Sequence, residues 1–281
     1  MSLDTGQGPT FDSWGIALEP VAGAPRVGRL GGRRPRLGRR SSWLNLAIVG
    51  VTTAVMAALI VHFATAGSAL AGTGASAAST RALAGVVNLR LSDLPGFRVG
   101  RDGGGATATG DPAAVFGQCF GTVYGTAGEE SPAVDSPAFV VGGGLQTAAI
   151  GSSVSLASDS QLASDTALAG NPLFPRCFAQ ALASVTWSAP GVSVSGADPT
   201  ATTLPPPVAA TGTVNPILGM RASMAWTAAS ITIPVTVDVY VVTVGHAEIT
   251  LYAFAAGAPD STSREQQLVS LLVHRALTAG Q

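Results

Sequence analysis

The chain has 281 residues, 47% hydrophobic and 11% charged, with 35 glycines and 18 prolines, a composition that excludes disorder for most of its length and allows one domain with extensions or two small domains. All 15 basic residues are arginines, so a Walker-type phosphate loop, a pyridoxal Schiff base and a protein kinase, each of which needs a lysine, are excluded. The net charge of −1 divides unevenly: residues 1–42 hold seven Arg against Asp4, Asp12 and Glu19, and the remainder holds eight Arg against 13 acids, a balance that makes nucleic acid an unexpected partner because its phosphates need basic side chains.

Residues 1–42 are rich in Gly, Pro and Arg, with a short apolar patch at Phe11, Trp14, Ile16 and Leu18, and read as a disordered basic cytoplasmic tail. From Ser41 to Thr80 there is no Asp, Glu, Lys or Arg. Within that gap Leu44 to Phe63, at about 1.5 Å per residue, reaches about 30 Å, the thickness of a hydrocarbon core. Residues 43–66 are therefore expected to form a transmembrane helix, with Trp43, Asn45 and His62 at its interfacial ends. Arg26, Arg29, Arg33, Arg34, Arg36, Arg39 and Arg40 precede the span and Arg81 is the first charge after it. The positive-inside rule then puts the N-terminus in the cytoplasm and the C-terminal domain outside, a single-pass protein of the cell membrane. Ala69-Leu70-Ala71 offers a signal-cleavage site, but the long leading segment and the length of the apolar run favour an anchor. Residues 67–82 read as a small-residue linker, and 83–281 as an extracytoplasmic domain.

Inside that domain Asp111-Pro112 predicts a helix by N-cap and first-turn proline, carrying Phe116, Cys119 and Phe120 inward. Ser158 with Gln161 makes a capping box for a helix to about Ala169. Asn171-Pro172 opens another, with Phe174, Cys177, Phe178, Ala181 and Leu182 at helical spacing. The stretch Asp198 to Pro216 reads as a long crossing loop. Ile217–Ala228, Ile231–Val244 and Ala247–Ala255 are three strand-like runs forming an antiparallel meander. A three-residue loop near Gly245-His246 would place Val239, Val241 and Thr243 on one face, and Asp238, Tyr240 and Val244 with Phe254, Tyr252 and Glu248 on the other, a register specified by one buried face. Thr262 and Glu265 cap a last helix with Leu268, Leu271, Leu272 and Val273 inward. The expected class is α+β, an antiparallel sheet with packed helices, preceded by a transmembrane helix and a disordered tail.

The order Leu91-Ser92-Asp93-Leu94-Pro95-Gly96-Phe97, a cysteine in the next helix, a Ser153-Val154-Ser155 strand, the Phe174-Pro175-Arg176-Cys177 helix and Arg221 opening a meander with Val237-Asp238-Val239 resembles actinobacterial exported sensor-type domains and lipoproteins of the PsbP-like fold. The resemblance spans roughly 83–277 and implies fold and compartment more than activity. The chain departs from the lipoproteins in having no lipidation cysteine near the span.

Cys119 and Cys177 are the only cysteines, and an even pair on the exported side reads as a disulfide. No metal site is expected: two sulfurs lack neighbouring histidines, and His246 with Glu248 lacks a third ligand. No G-x-S-x-G elbow occurs, no cofactor is implied, and no catalytic constellation emerges. One sheet face is expected under the helices at Cys119, Cys177 and Leu268–Val273. The other, with Asp238, Tyr240, Glu248, Tyr252 and Phe254, is the candidate ligand-binding surface for an amphipathic lipid or an envelope protein. The expected function is thus a non-enzymatic extracytoplasmic binding or sensing module, with an exported envelope-acting hydrolase or an envelope scaffold as alternatives.

Overall fold

The computed structural model describes residues 74–100, 107–121, 133–143, 146–189, 192–228, 231–257 and 262–280. The tail at 1–42 and the span at 43–66 lie outside the described residues; among the described residues no helix is long and apolar enough to cross a membrane. The domain is α+β. Its helices are α1 (Gly74–Val87), α2 (Pro112–Phe120), α3 (Asp159–Ala169), α4 (Phe174–Ala183) and α5 (Thr262–Ala279), with a 3-10 turn at Leu91–Asp93. Its strands are β1 (Arg98–Val99), β2 (Thr107–Thr109), β3 (Val134–Asp135), β4 (Phe139–Gly143), β5 (Gln146–Leu156), β6 (Thr186–Ala189), β7 (Val192–Thr203), β8 (Val214–Ala228), β9 (Ile231–Val244) and β10 (Ala247–Ala256). They form one antiparallel sheet in the order β1-β4-β5-β10-β9-β8-β7-β6-β2, with β3 also paired to β5.

The caps at Asp111 and Ser158 are where the sequence places them, whereas α4 starts at Phe174, with Leu173 rather than Asn171 at its N-cap position and no side-chain cap. The Asp111 side chain accepts from Ala114 N at 2.9 Å, and Gly121 closes α2 at φ +69, in the left-handed conformation glycine adopts freely. The Ser158 hydroxyl accepts from Gln161 N. Helix α4 buries Phe174, Cys177, Phe178, Ala179, Ala181 and Leu182. The meander β8-β9-β10 occupies the centre of the sheet.

Helices cover both faces. Phe116 of α2, with Phe174, Cys177, Phe178 and Leu182 of α4, packs on Val235, Val237, Val239, Tyr252 and Phe254. Ala84 and Val87 of α1, with Leu268, Leu272 and Val273 of α5, pack on Tyr240, Val242, Ile249 and Leu251. The helices at Cys119 and Cys177 and the helix at Leu268–Val273 therefore lie on opposite faces, not on one. Because successive side chains alternate across a strand, β9 and β10 are apolar on both sides.

The hairpin register differs by one residue from the sequence expectation: Val244 pairs Ala247 and Asp238 pairs Ala253 across a two-residue Gly245-His246 loop. Gly245 sits at φ +59, which suits a tight hairpin turn whose first central residue needs a positive φ. The segregation argument fails because neither face is the wet one, so alternation does not select a register.

Two further segments are more ordered than the sequence suggests. Helix α1 begins at Gly74, inside the stretch read as linker and ahead of the domain start expected near Leu83. Its small side chains give it little amphipathic contrast, and docking against α5 stabilises it. Strand β7 runs to Thr203, taking the first part of the expected crossing loop. Asp198, at φ 52, and Pro199 fall where the β7–β8 register shifts, a bulge that absorbs two residues unsuited to a ladder.

Candidate functional site

Two polar clusters interrupt the apolar faces, one under α5 and one along β10, β5 and β3 on the opposite face. On the α5 side, Arg221 of β8 and Asp238 of β9 are directly paired in the ladder. Arg221 Nε donates to Asp238 Oδ1 at 2.8 Å and Nη2 to Oδ2 at 2.5 Å, and Nη2 also donates to Thr262 Oγ1 at 2.8 Å. The Asp238 side chain is 3% exposed, so this bidentate pair stands in place of lost hydration. Glu265 and Tyr240 lie beside it, both buried. Burial first, and the Glu265 and Asp238 carboxyls next, push the Tyr240 phenol above its ordinary pKa, which keeps it neutral. Glu265, read from sequence as a cap residue, is thus also part of the seam between α5 and the sheet.

On the opposite face, Glu248, Thr250 and Tyr252 share the inward face of β10, with Ser153 of β5 opposite Thr250 and Asp135 of β3 opposite Ser153. Helix α3 supplies Asp165, whose carboxyl is held by Gln161 Nε2 at 3.0 and 3.1 Å and has Glu248 as its neighbour. Burial raises the Asp165 carboxyl above its usual range against the lowering effect of those bonds. Burial likewise raises Asp135, opposed by the adjacent Ser153 hydroxyl. Tyr252 is raised by burial and then by the Asp135 and Glu248 carboxyls.

The five candidate ligand residues do not converge. Asp238 and Tyr240 belong to the α5 cluster, whereas Glu248, Tyr252 and Phe254 face the other side. Tyr240 is 0% exposed, Tyr252 4% and Phe254 1%, with Phe254 packed on Trp226 at 5.3 Å between ring centroids. The open aromatic face that the one-residue slip suggested is therefore two halves of a core. The cysteines do converge: Cys119 and Cys177 are disulfide-bonded, 58 residues apart in sequence, and join α2 to α4. His246 stands 3.7 Å from Asp159, both largely in solvent. Among the described residues no group of three His, Cys, Asp or Glu could hold a metal ion.

Sequence reasoning missed Asp165, and it took Gln161 only as a capping-box residue. Their signal is the i, i+4 spacing on the stripe Gln161, Leu162, Asp165, Leu168 and Ala169, the α3 residues that are not fully exposed. It also missed the partner of Asp93: Arg275 Nη2 and Nη1 donate to its two carboxylate oxygens at 2.7 and 2.9 Å. No family model, curated protein or solved structure matches the chain.

Proposed function

We propose that this is a single-pass membrane protein presenting a non-enzymatic extracytoplasmic binding or sensing domain. The observation that carries the reading is the Cys119–Cys177 bond, a cross-link that persists in oxidising compartments, in a chain with seven arginines close ahead of its charge-free apolar stretch. Helix α1 supports it further: the domain reaches back at least to Gly74, about 10 residues in sequence after the apolar run. The resemblance to exported domains of the PsbP-like fold belongs to this reading. The Arg221–Asp238 pair bridges β8 and β9 while Arg221 also reaches Thr262 of α5, and Arg275–Asp93 joins α5 to the turn after α1, which favours a structural over a catalytic use of these groups. Val86, Leu91 and Leu277, at the segments joined by Arg275, are 45%, 44% and 36% exposed, and offer an apolar contact for a lipid or a protein partner.

The test is native mass spectrometry of the full chain purified in mild detergent. A retained lipid or protein that is lost in a Val86→Asp, Leu277→Asp variant supports the reading. Retention unaffected by that variant removes this corner from it. The exported-hydrolase alternative rests on one observation, the neighbouring Asp165 and Glu248 carboxyls, since a pair of carboxyls can serve acid–base catalysis. Cleavage of envelope material that is abolished by Asp165→Asn would favour it.

A further inference from the structure

We propose that the surface formed by α1, the turn after it, β1 and α5 lies against the anionic headgroups of the membrane that anchors the chain. The inference rests on the anchored reading and names the partner of its exposed apolar corner. Its first ground is where the exposed apolar side chains fall. Among the described residues five large hydrophobic side chains are exposed, Val86, Leu91, Val99, Leu173 and Leu277, and all but Leu173 belong to the segments 74–100 and 262–280. Those segments lie side by side. Val87 of α1 and Leu272 and Val273 of α5 share one core, Arg275 of α5 donates to Asn88 O at 3.2 Å and pairs with Asp93, and the Arg264 guanidinium lies over the Phe97 ring, 5.7 Å from its centroid. Exposed apolar side chains gathered on adjoining elements mark a contact surface, where scattered single ones would not.

The second ground is charge. The same two segments hold five Arg against Asp93 and Glu265, whereas residues 101–261 hold three Arg against 11 acids. Both acids of the basic segments are withdrawn: Glu265 is buried, and Asp93 is taken up by Arg275. Arg81, Arg90 and Arg98 are exposed. Arg90 Nη2 donates to Gly85 O and Val86 O, both at 3.1 Å, which fixes its guanidinium beside the exposed Val86. Apolar side chains next to arginines are the pattern by which a surface holds an anionic bilayer, the first entering the headgroup boundary and the second pairing with phosphate. A second copy of the chain on the same surface would set arginine against arginine, and the acidic remainder of the domain is turned away from the membrane by the same headgroups.

The third ground is reach. Ten residues separate Phe63, the end of the apolar run, from Gly74, and fully extended they cover at most about 36 Å. With the span in the bilayer, α1 is the element that the anchor keeps nearest the lipid along the chain.

The experiment is radiolytic hydroxyl-radical footprinting of the full chain, disulfide intact, reconstituted in vesicles of phosphatidylcholine alone and of two parts phosphatidylcholine to one part phosphatidylglycerol. Carbonate washing first tests the anchor. Labelling of Val86, Leu91, Val99 and Leu277 should be severalfold lower in the anionic vesicles than in the neutral ones, with Leu173 equal in both as the internal control. Salt at about 1 M, where the Debye length shrinks to about 3 Å, should remove most of the difference. Arg81→Glu combined with Arg98→Glu should remove it too, and unaltered Leu173 labelling shows that the variant is folded. Release of the chain by carbonate defeats the anchored reading and the docking with it. Retention with equal labelling of the four in both vesicles, or with Leu173 falling alongside them, overturns the docking alone. Protection that grows with the number of chains per vesicle, whatever the lipid, assigns the surface to a second copy and overturns it as well.

Discussion

Arg221 and Asp238 face each other across β8 and β9, and the same guanidinium reaches Thr262 at the start of α5. One side chain thereby joins the central meander to the last helix. Asp238 is almost wholly buried, so removing its partner leaves a carboxylate without solvent. Arg221→Ala should cost about 3–5 kcal/mol in urea unfolding, whereas replacing both residues with apolar ones of similar volume should cost less. Equal losses in the single and double variants would show that the pair is not coupled.

The disulfide should be measurable in the same way. Its cysteines are 58 residues apart, and closing a loop of that size restricts the unfolded chain by about 4 kcal/mol in the chain-entropy model. Reduction, or Cys177→Ser, should lower the unfolding midpoint by an amount in the range of about 2–5 kcal/mol. Thiol labelling of the denatured, unreduced protein should find no free cysteine.

A neutral network does similar work at the end of α1. Ser152 Oγ donates to Asn88 Oδ1 and accepts from Leu89 N, both at 2.9 Å, and Asn88 Nδ2 donates to Val134 O at 2.8 Å. Ser152→Ala should cost about 1–3 kcal/mol, because it strands a buried amide and a carbonyl rather than removing a whole bond. Faster exchange at the Leu89 amide, with α4 unaffected, is the expected local signature.

Acid sensitivity has a separate origin in Asp93. The Arg275 guanidinium, through hydrogen bonds first, holds this carboxyl below its usual range. A depressed acid contributes stability that is complete above its unfolded pKa and is lost as pH falls through the folded one, so the loss begins below about pH 4. Arg275→Met should lower stability at neutral pH and shrink the additional loss on acidification. A variant whose acid profile parallels that of the unsubstituted chain would remove Asp93 as the cause.

The helices and strands with strong local signals were legible. Asp111-Pro112 starts α2, the Phe174–Leu182 spacing gives the buried stripe of α4, and the β-branched runs give β8 to β10. The hairpin register was not, because Val239 and Tyr240 are both buried, so no polar face selects the pairing. Helix α1 was hidden by its composition of small residues, and β7 by Asp198-Pro199, whose bulge becomes apparent only with β8 beside it. Of the candidate site, the disulfide was legible from compartment and parity. The grouping of Asp238 with Tyr252 and Phe254 inherited the one-residue slip, and the nearness of Asp165 to Glu248 joins two segments with no local signal between them.

The central claim, an anchored domain outside the cytoplasm, is tested most directly by topology. A reporter active only beyond the membrane, fused after Gln281, should be active, and the same reporter fused at Ser41 should be silent, with the intact chain retained in the membrane fraction at high salt. Activity at Ser41 with silence after Gln281, or free thiols at Cys119 and Cys177 in the freshly isolated chain, would contradict the account.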